Sequence, residues 1–360
     1  MYWKMYWRKS MREVVAKKWD ELPAIWNDFY DRNPTASTFQ TYEFHTFTGK
    51  GKPYQKDLFR LIGVREWNLV LYRNGEAVAI APLLLKKKRG RLIVYLRGHF
   101  TVADQIDFIY ANWSYDDFKF LMDYIREKLG NASFFLDRIS ERTVTCQYLK
   151  QYFAGKHIEE YDCFSIPVPE NYDEWWNSLS RSTRRSIVKH RNRLERSNLD
   201  CSFRYIYGEE LSRSLCRQFM WVYADRFLVK NRFNLGPLRR PVIWALRAYL
   251  MRDQMTRWMC RKDGNFHVVM YIGGEIACFL SGLIFKDKRL MIERMKINTK
   301  FAWCSPGYLM VSELMRYAIE QNRAGTMDIR ELDLSQGGEN GMEYKRALGG
   351  QVYHNYVFYD

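Results

Sequence analysis

Two stretches of this chain repeat one order of features, and that repetition limits the folds open to it more than any other property. YRNGEAVAIAPLLLKKKRGRLIVYL, Tyr72 to Leu96, and YIGGEIACFLSGLIFKDKRLMIERM, Tyr271 to Met295, each read as a strand, a Gly-Glu turn, a long apolar strand, a basic turn and a further strand. Antiparallel hairpins with glycine turns are common, so a short match alone proves little. Here each copy also follows helix-like sequence and precedes strand, helix and strand patterns, so the likeness extends to element order. The expectation is a duplicated α/β unit, of the α+β kind, each copy a mixed, mostly antiparallel sheet flanked by helices.

Length agrees with two such units, since 360 residues exceed what one core usually organises. The prolines and polar residues of FSIPVPENYDEWWNSLS suit a connection, which places the boundary near Ser165 and the halves at 1–165 and 166–360. Hydrophobic residues at 47% and charged residues at 27% exclude a largely disordered chain. No apolar run approaches the roughly 20 residues of a membrane span, and IAPLLL is stopped by KKKRGR. The opening MYWKMYWRKSMREVV lacks the apolar stretch of a secretory signal and reads as an amphipathic first helix.

Seven scattered cysteines, odd in number and without a Cys-x-x-Cys pair, favour buried thiols in a reducing cytoplasm over disulfides or zinc. The six histidines are dispersed, so no metal is expected. A net charge of +16 points to an anionic partner: a phosphate-bearing cofactor, a nucleotide-linked sugar, RNA, or the inner face of a membrane.

The second half carries the clearest local signals. Ser305 stands where a cap belongs, Pro306 suits a first helical position, and Val311, Leu314, Met315 and Ala318 fall at helical spacing, which predicts a helix from Pro306 to about Asn322. MDIRELDLS then reads as a strand leading into QGGENGMEYKRALGG.

Four stretches together resemble the GNAT acyltransferase superfamily, specifically its CelD-type, BioF2-like branch, which is related to the tandem-GNAT Fem peptidyltransferases. They are SLSRSTRRSIVKHRNRLER, GGEIACFLSGLIFKDKRLMIERM, CSPGYLMVSELMRYAIEQ and LDLSQGGENGMEYKRALGG. NGEAVAIAPLLLKKKRGRLIVYL resembles the family's amino-terminal half, so the likeness covers nearly the whole chain. The resemblance implies tandem GNAT-like units and a transferase using an acyl-CoA, acetyl-CoA foremost, on the amine or hydroxyl of an amino sugar or related saccharide intermediate in surface-polysaccharide or cellulose assembly. Two alternatives stay open: Fem-like transfer from an aminoacyl-tRNA, and a non-catalytic GNAT-like binding module. The family's pyrophosphate loop is incomplete here, where the chain offers KFAWCSPGYL, so the acyl carrier is not fixed by sequence.

Acyl transfer needs a bound donor, an oriented neutral acceptor and hydrogen-bond donors aimed at the carbonyl oxygen. Ser305, Pro306, Gly307, Tyr308 and Leu309 are the expected phosphate-binding helix start, with Lys300 and Lys296 upstream adding charge. A plain capped helix with solvated lysines is the alternative. Glycines 337, 338 and 341 are expected to bring the backbone close to a ligand, aiming Lys345 at developing negative charge and Tyr344 at the leaving group. A surface lysine beside a core tyrosine is the competing reading. Asp333, and after it Glu293, are the candidate bases, against the ordinary salt-bridged acid. Arg181, Arg184, Arg185, Lys189, Arg193 and Arg196 gather on one side of a helix with Ile187 and Leu194 on another, a stripe suited to an anionic ligand or to solvent.

Overall fold

The computed structural model describes residues 11–49, 63–101, 103–230, 236–250, 264–337 and 342–360. They gather into two compact units, one running to Glu160 and including His354–Asp360, the other Tyr161–Tyr353.

In the first unit β1 (Arg12–Lys17), α1 (Pro23–Arg32) and α2 (Tyr42–Gly49) precede the strands β2 (Val64–Arg73), β3 (Glu76–Lys88) and β4 (Arg91–Leu96). The short β5 (Ile109–Tyr110), α3 (Tyr115–Leu129), β6 (Ser133–Ser140) and α4 (Val144–Tyr152) follow. β1 to β4 form an antiparallel meander. The β2–β3 turn works because Asn74 and Gly75 both take positive φ, 54° and 87°, the geometry that matches strand twist in a two-residue hairpin. Where an amphipathic helix is predicted, Arg12–Lys17 is a strand. REVVAK supports either period, and pairing of Val14 with Leu71 and Ala16 with Leu69 decides for the sheet. Met1–Ser10 lie outside the described residues.

The strand β7 (His157–Pro167) leads into the second unit. There α5 (Tyr172–Ser178), α6 (Arg181–Arg196), β8 (Cys201–Tyr207), α7 (Arg213–Lys230) and α8 (Arg239–Leu250) come before β9 (Asn265–Ile272), β10 (Glu275–Ile284) and β11 (Arg289–Ile297). α9 (Pro306–Arg323), β12 (Glu331–Gln336), α10 (Met342–Ala347) and β13 (Gln351–Tyr359) complete the chain. β8 to β11 repeat the antiparallel meander, and β12 joins β11 in parallel after a helix, as β6 joins β4 after α3. The doubling is therefore one of topology: a mixed α/β fold of two similar units.

Each unit draws its next strand from the other half of the sequence. β12 pairs antiparallel with β7, which follows the elements of the first unit, while β6 pairs with Asn355–Tyr359 of β13. A linear boundary near Ser165 does not express this return of His354–Asp360 to the first unit. In the second unit, α9 buries Met310, Val311, Leu314, Met315 and Ala318 against Val268, Met270 and Leu280 of the sheet, so the apolar spacing seen in sequence is its core face. No described helix is long and apolar enough to cross a membrane.

Candidate active site

The second unit's sheet opens where β11 and β12 part. They pair in parallel only at Arg289–Glu331, Leu290–Leu332 and Met291–Asp333. Beyond that, β11 continues beside β10 to Ile297 and β12 beside β7 to Gln336, so a wedge opens between two strand edges. A bulge marks each side. Glu293 is the extra residue opposite Ser281 and Gly282, and Ser335 takes φ 57° at the irregularity after Asp333. Glycine is required at 282, since a Cβ there would sit 2.3 Å from the Met291 carbonyl oxygen.

α9 starts beside this wedge, but not as a phosphate cradle. Ser305 occupies the cap position in a left-handed conformation, φ 45°, and its side chain caps nothing, contrary to expectation. Pro306, Gly307 and Leu309 are buried. A Cβ on Gly307 would lie 3.2 Å from both Ile297 Cδ1 and Tyr344 Oη and 3.7 Å from Met295 Cε, so side chains fill the space over the first turn. Lys300 is paired with Glu275, and the Lys296 ammonium lies 5.1 Å from the Tyr223 ring centre. The helix start from Ser305 to Leu309 with Lys300 is thus a poor fit for a pyrophosphate, because its volume is occupied and its cation neutralised.

The adjacent pair on α10 splits in two directions. Tyr344 turns inward, edge-on to Tyr308 with ring centres 4.7 Å apart and planes at 77°. Its hydroxyl is buried and has no hydrogen-bond partner among the described residues. Burial, with lesser contributions from Cys278 and Tyr308, holds this phenol well above its ordinary pKa, so it keeps its proton. Lys345 turns the other way: its ammonium donates to the carbonyls of Leu334, Ser335 (3.0 Å) and Gln336 (2.7 Å). With those donors committed to the end of β12, Lys345 is a brace and not the expected stabiliser of developing charge. Gly337 is packed rather than open, its Cβ position 2.6 Å from Met342 Cγ and 2.8 Å from Phe164 Cε2. Gly338 and Gly341 lie outside the described residues.

Asp333 is likewise structural. Its fully buried carboxylate accepts from Arg289 Nη1 at 2.9 Å, from the Tyr353 hydroxyl at 2.9 Å and from the Ser335 N–H at 2.8 Å. Burial works against the charge of Arg289, yet Asp333 and Asp287 outweigh it and hold the guanidinium above its ordinary pKa. Tyr353 is held well above its own, by burial first and then by Asp333. A carboxylate so engaged is not placed to take an acceptor's proton.

The comparisons with known proteins fit this arrangement. Residues 181–346 match the family described as the acetyltransferase (GNAT) domain. This segment is a GNAT acyltransferase domain. Across nearly its full length the chain is similar in fold to the crystal structure of FemX, with a TM-score of 0.56 and 12% identity, covering 96% of this chain and 97% of that one. It is also similar to a conserved protein of unknown function from Bacteroides thetaiotaomicron, with a TM-score of 0.51, 12% identity, and 96% and 99% covered. No curated protein sequence matches the chain.

Within the GNAT domain Glu293 is the carboxylate that remains at the wedge, two residues past the last parallel pair and 8% exposed. α6 carries its cations outward over buried Ile187 and Leu194. Arg181, Arg184, Arg185, Lys189, Arg193 and Arg196 line a groove of about 710 Å³. Sequence reading missed Arg289 and Tyr353, the partners of Asp333, which no local pattern marks. Among the described residues no group of three His, Cys, Asp or Glu side chains is placed to hold a metal ion.

Proposed function

We propose that the chain is an acyl-CoA-dependent N- or O-acyltransferase, with acetyl-CoA the foremost donor, of the CelD-type, BioF2-like branch. Its acceptor would be an amino sugar or a related intermediate of surface-polysaccharide or cellulose assembly, handled in the cytoplasm or at the inner membrane face. One observation carries the catalytic part of the reading: a buried, protonated and partnerless phenol, Tyr344, stands between the first turn of α9 and the strand that borders the wedge. The acceptor and the pathway rest on sequence resemblance alone.

In this reading the acceptor's amine or hydroxyl attacks the thioester carbonyl in the wedge, where backbone N–H groups of the parted strands face the oxygen as it gains charge. Glu293 takes the acceptor's proton as the new C–N or C–O bond forms. The C–S bond breaks, and the leaving thiolate takes the proton of Tyr344. Lys345 contributes by holding the carbonyls of residues 334–336, and Arg289, Asp333 and Tyr353 by fixing the strand that bears them.

The Fem-like reading, transfer from an aminoacyl-tRNA, is favoured by one feature, the run of cations on α6. Thiol release from a panel of acyl-CoAs, run beside transfer from a charged tRNA, separates the two. If Tyr344→Phe left the observed reaction at the wild-type rate, the role of Tyr344 would fail; if the wild type turned over neither donor, a binding module would remain.

A further inference from the structure

The GNAT domain's α6 presents its six cations along one groove, and their spacing is not that of an ordinary solvated helix. Arg181, Arg185, Lys189 and Arg193 follow one another at intervals of four, so each sits beside the next on the helix surface. Solvated faces usually interleave acids at these intervals for favourable pairs. A row of like charges instead costs about 0.2–0.5 kcal/mol per neighbouring pair. Among the described residues none of the six cations forms an ion pair. Two hold neutral oxygens: Arg184 Nη1 donates to Asn177 Oδ1 at 3.2 Å and Arg193 Nη1 to the Trp303 carbonyl at 3.1 Å. The groove also has an aromatic wall, Trp176.

Its position ties it to the chemistry. The Arg193 contact reaches Trp303, three residues before the start of α9. His190 of the same helix stacks toward Tyr308, ring centres 6.4 Å apart and planes at 17°, and Tyr308 in turn meets Tyr344. Contacts therefore run from the helix that bears the groove to the phenol, while the start of α9 itself is filled by Ile297, Met295 and Tyr344.

We infer that α6, and not the start of α9, holds the phosphate groups of the acyl donor. The inference rests on the proposed function, in which Tyr344 marks the donor's acyl end. At about 1.5 Å per residue the row from Arg181 to Arg196 spans roughly 22 Å, long enough for several phosphates in succession. Arginine forks suit phosphate oxygens, and the indole offers a face for an adjoining base. Two sources share this chemistry, the nucleotide tail of a CoA ester and the acceptor strand of an RNA.

The test measures the Kd of the full chain for acetyl-CoA and for a short single-stranded RNA ending in CCA, across salt concentrations. The variants are Arg185→Ala with Lys189→Ala, and separately Lys300→Ala. Both α6 positions are exposed, so folding is retained, and a thermal melt of the double variant at or above the wild-type Tm confirms it. The groove predicts that the double variant weakens the bound probe at least tenfold and lowers the slope of log K against log salt, by about 1.4 for the RNA. Lys300→Ala should stay within twofold of wild type. Whichever probe the wild type binds identifies the source. Binding that survives the double substitution unchanged overturns the groove and leaves the catalytic reading standing, whereas a wild type that binds neither probe overturns both.

Discussion

Replacing Asp333 by Asn separates a structural acid from a catalytic one. The carboxylate is fully buried and its partner Arg289 is 5% exposed, so the substitution leaves a guanidinium in the interior with Asp287, at 2.6 Å, as its remaining ion-pair partner among the described residues. Breaking a buried pair from one side costs about 3–5 kcal/mol, and the surviving Asp287 contact puts this case at the low end, about 3 kcal/mol. The amide oxygen can keep both Ser335 and Tyr353, which already meet on Oδ1, but the NH2 that replaces Oδ2 is a donor and cannot accept from Arg289. For a unit of this size each kcal/mol moves Tm by about 2–4 °C, giving a fall of roughly 6–12 °C. Calorimetry at pH 7, paired with turnover measured well below the transition, reads both effects. A Tm within 2 °C of wild type together with a hundredfold loss of turnover would show that Asp333 does chemistry and that its buried network is incidental.

Tyr344→Phe should lower kcat by about 10²–10⁴ while leaving Tm unchanged or slightly raised, because the hydroxyl removed is buried without a partner; stopped-flow detection of thiol release checks the first and calorimetry the second. Gly282→Ala places a Cβ against the Met291 carbonyl and should cost about 3 kcal/mol in a urea melt, with turnover falling as the bulge that carries Glu293 shifts. In the first unit, burial pushes the Asp107 carboxyl up to about 7, although Thr145 and the Phe108 N–H draw it back. A carboxyl whose pKa is raised on folding stabilises most below its unfolded pKa and loses that contribution as pH climbs toward 7, so stability should fall between about pH 4 and 7, by up to about 4 kcal/mol. Asp107→Asn should flatten that part of the pH–stability curve, and a wild-type curve already flat there would refute the assignment.

What could be read from the sequence was local. The hairpins announced themselves through glycine turns, and α9 through Pro306 and its apolar spacing, because those signals lie within a few residues of the structure they specify. The wedge did not, since it depends on β11 meeting β12 across an intervening helix and then leaving it. Tyr344 and Lys345 stand out in sequence as a pair, yet neighbours on a helix diverge by about 100°, and only packing says which one turns in. Asp333 is engaged by Arg289 and Tyr353, 44 and 20 residues away, so a strand-end acid that sequence ranks as a base is in fact a cross-link. Arg12–Lys17 misled for a related reason: six residues of mixed polarity satisfy two periods, and the choice belongs to β2.

The reciprocal use of β7 and β13 bears on how the molecule is made. Phe135 and Leu136 of β6 wait for Tyr359 and Phe358, whose synthesis follows that of the entire second unit, so the amino-terminal sheet is finished last. A contact spanning more than two hundred residues is slow to close, and until it does β6 offers a bare edge. Assembly on the ribosome is therefore not a matter of one half folding and then the other; the later half must emerge before the earlier one is whole.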